Sequence, residues 1–192
     1  SAVYKDRPEM GIFMKEWQAL YKSRSGERGM FSRAAAQKQA AQSGRRETEH
    51  DFGTNPCCEI ILRPYQFCNL TEVVVKKHDT RESLLNKVRL ATILGTYQAT
   101  LTDFKYLRKV WQRTTEEERL LGVSLTGIMD NPLTHDIGEP LDALLRDLRA
   151  KAVETNKEWA EKFGIPQSTA ITCVKPSGTV SQLVDAASGI HA

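Results

Sequence analysis

The chain has 192 residues, 40% hydrophobic and 27% charged, with 27 Lys+Arg against 24 Asp+Glu for a net charge of +3. That is enough for one domain with a sizeable core or a piece of a larger one, and it excludes a disordered or fibrous class. The charge is too mild to single out nucleic acid as a partner, no run of about 18 apolar residues offers a membrane helix, and Ser1 to Met10 is too polar for a secretory signal.

Along the chain, Ile12, Phe13, Trp17 and Leu20 recur at helical spacing and predict a helix over Met10 to Tyr21. Two glycines with Ser and charge then predict a loop over Ser23 to Gly29. Phe31 to Gln42, rich in Ala and Gln, reads as a second helix. The charged stretch Ser43 to Asp51 reads as a solvated surface loop, Arg45 and Arg46 included. Glu59 to Leu62 and Glu72 to Val75 carry β-formers in short runs parted by Arg63-Pro64.

A broad apolar face from Leu84 to Tyr97 predicts a helix over Ser83 to Thr102. Phe104 to Arg113 and Thr115 to Leu121 read as two further helical pieces. Gly122 to Gly127 reads as a short buried strand. Pro140 to Phe163 gives the clearest helix, with Leu141, Leu144, Leu145, Leu148, Ala152, Trp159 and Phe163 at spacings of three and four. Ala170 to Val174 reads as another strand, followed by the turn Pro176-Ser177-Gly178-Thr179. Strands alternating with long helices make the fold class α/β. The stop at Gly189-Ile190-His191-Ala192, just after a turn, points to an internal fragment of a longer protein. Trp17, Trp111 and Trp159 read as packing residues, and His50, His78, His135 and His191 show no spacing that suggests a metal.

Four cysteines are too few for a disulfide scaffold, so a reducing, cytoplasmic compartment is the expectation. Asn55-Pro56-Cys57-Cys58-Glu59 is the most informative stretch. On an extended backbone Asn55, Cys57 and Glu59 would share one face, with Cys58 on the other. A thiol can give up hydrogen, a carboxylate can take a proton from a hydroxyl, and an amide can orient that hydroxyl. Cys68 follows eleven residues after Cys57, across the turn-prone Arg63-Pro64-Tyr65. Against this stand three plainer readings. A buried cysteine commonly acts as a small apolar residue. Cys57, Cys58, Cys68 and His50 would make a zinc site of unusual spacing. A disulfide between adjacent cysteines is strained. By spacing alone the cluster says only that thiol chemistry is possible. For Pro176 to Thr179, Gly178 permits a tight turn, and backbone N–H groups with the Ser177 and Thr179 hydroxyls can cradle phosphate, although four such residues in isolation are more often an ordinary loop.

Asn-Pro-Cys-x-Glu-Ile followed by Phe67-Cys68-Asn69-Leu70 resembles the active-site loop of ribonucleotide reductases, and most closely that of the adenosylcobalamin-dependent, class II family acting on ribonucleoside triphosphates. Ser25 to Arg33, Leu125 to Asp130 and Val174 to Ser181 resemble three further family segments, in the family's order. The pattern departs at Arg28, where the family often has proline, and at Cys58, where it often has glycine.

The resemblance implies reduction of ribonucleotides to 2′-deoxyribonucleotides. Cys57 would carry a thiyl radical that takes the ribose 3′-hydrogen. Glu59 would accept the 3′-hydroxyl proton, and Asn55 would bind the ribose hydroxyls. Cys68 would be one of the two cysteines that supply electrons and end as a disulfide. Its partner would lie upstream of Ser1, with Cys173 read as a structural thiol. Pro176, Ser177, Gly178 and Thr179 would hold the substrate phosphates. The implied fold is part of a ten-stranded α/β barrel. Residues 1–192 would be one barrel fragment, 52–72 its central finger-loop region and 174–181 its phosphate-binding turn. The implied cofactor is adenosylcobalamin, with no binding residues identified in this stretch. The implied partners are the nucleotide, a dithiol reductant such as thioredoxin, and the rest of the barrel if it is separately encoded, with no nucleic acid and no membrane. The competing expectations are a reductase of another radical class, a non-catalytic zinc-stabilised module, and a degenerate remnant.

Overall fold

A computed structural model describes residues 2–4, 6–25 and 29–189. The chain divides into two compact units, Ser1–Pro64 and Tyr65–Ala192.

In the first unit, strand β1 (Ala2–Tyr4) pairs in parallel with β2 (Met30–Ser32), and helix α1 (Met10–Ser23) connects them. The helix forms where its apolar spacing predicts, but it buries none of its residues: Met10, Ile12, Met14, Trp17 and Tyr21 are all exposed. Trp17 stacks on Phe13 at 6.4 Å rather than entering a core. Of the predicted loop after α1, Gly26, Glu27 and Arg28 lie outside the described residues. Ser32 then caps α2 (Arg33–Ala41), its hydroxyl accepting from the Ala35 N–H at 3.2 Å. The predicted helix therefore starts two residues late, because Met30 to Ser32 is taken by the strand.

The small core of this unit is Ala36, Ala40 and Phe52, with Phe31 and Ile61 packed against it. Phe52 leads into β3 (Gly53–Thr54), which pairs antiparallel with β4 (Ile61–Leu62). Two arginines fix this hairpin. Arg33 donates through Nε to the Phe52 carbonyl at 2.9 Å, and Arg46 donates through Nη1 to the Ile61 carbonyl at 2.9 Å. Arg46 also lies 4.8 Å over the Phe52 ring and is buried. The reading of Arg46 as solvated is thus corrected: its guanidinium is the polar partner that closes the hairpin on the core.

The second unit is built on a parallel sheet. Strand β5 (Asn69–Val74) pairs with β6 (Leu121–Thr126) in register Asn69 with Leu121 through Val74 with Thr126. On the other side of β6, Thr172 bridges Val123, and backbone bonds run from Leu121 N–H to Ala170, from Val123 N–H to Ile171 and from Cys173 N–H to Val123. The predicted strand at Ala170 to Val174 is therefore a single bridge with flanking hydrogen bonds. β6 is central and buried on both faces. Among the described residues, no strand pairs with the outer edge of β5.

The crossover from β5 to β6 carries α3 (Arg81–Gln98) and α4 (Lys109–Glu118). Thr80 and Ser83 form a reciprocal capping box at the start of α3, which explains why that helix begins two residues before the predicted Ser83. The two helical pieces predicted over 104–121 are one helix, α4, with Phe104 to Arg108 outside it. After β6, a short 3₁₀ turn (Ile128–Asp130) and α5 (Pro132–His135) lead into the long α6 (Glu139–Phe163), which ends at left-handed Gly164. α3 packs across both strands and α6 packs beside α3. Val73, Val75, Leu84, Val88, Leu121, Val123, Leu144, Leu148, Ala152 and Ile171 share one core.

Gly95 of α3 faces the sheet: a Cβ there would come into van der Waals contact with the Leu121 and Thr71 side chains at 3.4 and 3.5 Å. A buried polar knot ties the layers together. Asn156 on α6 donates to the Thr96 and Ser168 hydroxyls, each at 3.0 Å, and its Oδ1 accepts from the Ser168 N–H at 2.9 Å.

Candidate active site

The stretch Asn55 to Ile60 joins β3 to β4, and it is a turn, not an extended run. The Cys58 N–H donates to the Asn55 carbonyl at 3.0 Å, and Cys58 has the left-handed φ of 63°. The alternation that would align Asn55, Cys57 and Glu59 on one face is therefore absent. Pro56 suits the turn, since its ring presets φ and it has no N–H to satisfy.

The turn is held from within. Asn55 Oδ1 accepts from the Ile60 N–H at 3.0 Å and from the Thr54 hydroxyl at 3.4 Å. The amide oxygen is thus structural, which leaves the Nδ2 donors for any ligand. Cys57 and Cys58 both have exposed thiols. Glu59 is half-buried at the foot of the turn. His50 stands edge-on to Phe52 at 5.7 Å, with Nε2 3.4 Å from the Glu47 carboxylate, so its role is in packing.

Cys68 belongs to the second unit. It is half-buried, directly before β5, and follows Phe67. Phe67 stacks on Trp111 at 4.7 Å and meets Phe104 edge-on at 5.2 Å. Tyr65 meets Trp111 edge-on, and Arg108 lies 4.6 Å over the Tyr65 ring. Trp111 is a packing residue, as its helical spacing predicts. Below it, Thr114 donates to the Tyr65 carbonyl and Gln66 donates to Glu118, which holds the segment leading to Cys68.

The predicted phosphate turn sits beside the carboxyl ends of the parallel strands. The Gly189 N–H donates to the Pro176 carbonyl at 3.0 Å, the Gly127 N–H to the Ala187 carbonyl at 2.6 Å, and the Ala187 N–H to Asp130 Oδ2 at 2.8 Å. Leu125 to Asp130, Lys175 to Pro176 and Ala187 to Gly189 therefore meet at one place. Crevices at strand carboxyl ends are where open α/β sheets take ligands.

Gly127 is required there. Its φ is +78°, and a Cβ would lie 2.3 Å from the Val75 carbonyl oxygen. Ser177 has a left-handed φ of 57°, is 2% exposed, and its hydroxyl has no hydrogen-bond partner among the described residues. Gly178 and Thr179 open the six-residue helix α7 (Gly178–Leu183) and are exposed. Cys173 is half-buried beside β6.

A polar network after β5 went unseen in the sequence. Asn131 donates to the Lys76 and Asp79 carbonyls at 2.9 and 3.0 Å. Lys87 Nζ lies 2.6 Å from Asp79 Oδ2, which also accepts from the Lys76 N–H at 2.7 Å. Burial pushes the Asp79 carboxyl up, but hydrogen bonds from Lys87, Ser83 and the Lys76 backbone outweigh it and hold the group below the usual range. Lys76 Nζ reaches on to the Val184 and Asp185 carbonyls at 2.6 and 2.8 Å, tying the end of β5 to the end of α7. Isolated Asn and Asp residues in a loop carry no periodicity that would have marked them. His135 pairs with Asp136 at 2.8 Å, and His191 lies outside the described residues. Among the described residues, no three His, Cys, Asp or Glu side chains gather for a metal, and no helix is long and apolar enough to cross a membrane.

No family model matches the chain. Curated relatives do. An adenosylcobalamin-dependent ribonucleoside-triphosphate reductase of Lactobacillus acidophilus is 31% identical over 72% of the chain. A probable adenosylcobalamin-dependent ribonucleoside-triphosphate reductase of Dictyostelium discoideum is 30% identical over 73%. The crystal structure of a B12-dependent (class II) ribonucleotide reductase matches 71% of the chain at 26% identity with a TM-score of 0.59. The chain spans only about a fifth of these relatives, 22% and 18% of the two curated proteins and 22% of the solved one. Its α/β fold and its order of motifs thus make the chain a homologue, over nearly three quarters of its length, of one segment of the adenosylcobalamin-dependent class II ribonucleotide reductases.

Proposed function

We propose that this chain is the catalytic segment of a class II ribonucleotide reductase, reducing ribonucleoside triphosphates to 2′-deoxyribonucleotides. The observation that carries the reading is the Asn55-Pro56-Cys57-x-Glu59 turn, seated within a stretch homologous to those reductases.

The proposed division of labour is the one the resemblance implies. Cys57, which matches the family's radical cysteine, carries the thiyl radical; its thiol is exposed on a hairpin whose base is fixed by Arg33 and Arg46. S–H and activated ribose C–H bonds are close in strength, so hydrogen abstraction is nearly balanced and reversible. Glu59, half-buried at the foot of the turn, takes the 3′-hydroxyl proton as the 2′-hydroxyl leaves as water. Asn55 uses Nδ2 to orient the ribose hydroxyls while Oδ1 keeps the turn closed. Cys68 supplies one of the two reducing electrons and ends in a disulfide with a cysteine outside this chain; a dithiol reductant such as thioredoxin restores it. Pro176, Ser177, Gly178 and Thr179 receive the phosphates, which would give the buried Ser177 hydroxyl its partner.

Adenosylcobalamin, when bound, supplies the radical by cobalt–carbon homolysis. The exposed Cys57 thiol suits a radical handed over from outside the turn, and no residue of this chain is assigned to hold the corrin. In the proposed architecture 52–72 is the finger-loop region, 174–181 the phosphate turn, and β5 and β6 are neighbouring parallel strands of a ten-stranded barrel, with the 170–173 segment bridged to β6. Enclosure in that barrel keeps the radical from side reactions. The reaction belongs in the cytoplasm, where deoxynucleotides are consumed.

The test is the full-length protein with adenosylcobalamin, a dithiol reductant and a ribonucleoside triphosphate. Deoxynucleotide should form, and Cys57→Ala should abolish it. Retained turnover in that variant would sink the radical assignment. Cys68→Ser should permit at most a single turnover; sustained turnover would remove Cys68 from the redox role.

A further inference from the structure

The reduction uses Cys57 and leaves its neighbour Cys58 without a task. The two thiols stand on successive residues joined by a trans peptide, and both are exposed. Their Cα atoms are therefore about 3.8 Å apart. An extended backbone would send the side chains to opposite faces. Here the Cys58 N–H closes the turn on the Asn55 carbonyl at 3.0 Å, and the left-handed φ of 63° at Cys58 breaks that alternation. Glycine fills such a position at less cost. A cysteine held there places a second thiol at the expense of local strain. A direct S–S bond between neighbours is itself strained. An atom that bonds both sulfurs without joining them removes that demand.

We propose that Cys57 and Cys58 form a vicinal dithiol site that captures trivalent organoarsenicals of the aryl arsenoxide class. Two As–S bonds form and the As=O bond breaks. The two thiol protons leave with the oxygen as one water. Arsenic stays trivalent, and nothing is oxidised or reduced. In the proposed reductase, on whose reading this consequence rests, capture withdraws the Cys57 S–H from catalysis. A reagent smaller than a nucleotide reaches the turn wherever the substrate does.

The experiment treats the full chain with phenylarsine oxide, counts free thiols with a maleimide and weighs the intact protein. The four free thiols should fall to two with one phenylarsenic group bound. An excess of 2,3-dimercaptopropanol should release it, whereas the same concentration of 2-mercaptoethanol should not. Cys58→Gly suits the left-handed turn and so keeps the fold. It and Cys57→Ser should each weaken retention by about a hundredfold or more, the loss of the second thiol's effective concentration. Cys68→Ser and Cys173→Ser should retain capture. Four reactive thiols after treatment of the unaltered chain, capture persisting in Cys58→Gly, or capture lost in Cys68→Ser would each overturn the assignment. Mass and thiol count are independent of nucleotide reduction, so failure of the reductase reading and failure of the dithiol site are separately visible.

Discussion

Cys58 shows how one side chain can be chemically conspicuous and conformationally awkward at once. A left-handed φ costs an ordinary L-residue about 1 kcal/mol relative to glycine. Cys58→Gly should therefore stabilise the chain by up to about 1 kcal/mol, seen as a raised urea midpoint with an unchanged slope. A lowered midpoint would mean the thiol makes a compensating contact. Ser177 is the opposite case, a left-handed residue whose hydroxyl is buried without a partner among the described residues. Ser177→Ala should weaken nucleotide binding in the full-length enzyme by about 1 kcal/mol, near a fivefold rise in Kd, and leave folding unharmed. An unchanged Kd would count against the phosphate role. At this scale the sequence was partly legible. The cysteines, Glu59 and the glycine-containing turn could be picked out by type. That Asn55 spends its amide oxygen on Ile60 could not, because a six-residue turn carries no periodic signal.

The elements were legible in proportion to their length. α3 and α6 repeat an apolar face over several turns, so their bounds were read to within a few residues. β6, Leu-Gly-Val-Ser-Leu-Thr, carries no charge and only small or apolar residues, as suits a strand with both faces covered. The short pieces failed where tertiary contacts decide. Ala170 to Val174 has strand composition, yet it makes a single bridge to β6. The knot around Asn156 joins α6, α3 and the approach to that segment. Asn156→Ala would strip the buried Ser168 N–H of its acceptor and should cost about 2–3 kcal/mol, measured by urea denaturation. A loss under 0.5 kcal/mol would show that the knot is dispensable. Gly127→Ala should be worse, combining a strained left-handed φ with a clash against the Val75 backbone, and little folded protein is expected from it.

For the whole molecule, the similarity to class II reductases came from four short motifs in order, and the fold class from alternation of strands and helices. What the sequence could not display was the wiring between strand ends, since it rests on single polar residues far apart in the chain. Asp79 is the most exacting of these. Its folded pKa lies below its unfolded value, so its contribution is complete above the ordinary Asp pKa of about 3.9 and is lost as pH falls toward the depressed value. Unfolding free energy should therefore decline below about pH 4, and Asp79→Asn should flatten part of that decline. The same variant should cost about 1–2 kcal/mol at neutral pH through the weakened Lys87 contact. An acid limb unchanged by the substitution would assign the effect to other carboxyls.

The outer edge of β5, unpaired among the described residues, gives the sheet a signature in time. The Asn69 and Val75 N–H groups donate toward β6, so the two-residue period turns those of Leu70, Glu72 and Val74 the other way. β6 instead divides its amides between two neighbours. In deuterated water, the amides of Leu70, Glu72 and Val74 should exchange well before that of Val73 one residue away. Pairing of this edge with a neighbouring strand of the proposed barrel should erase the alternation. The exchange pattern of three amides would then report, without any activity assay, whether the barrel has closed.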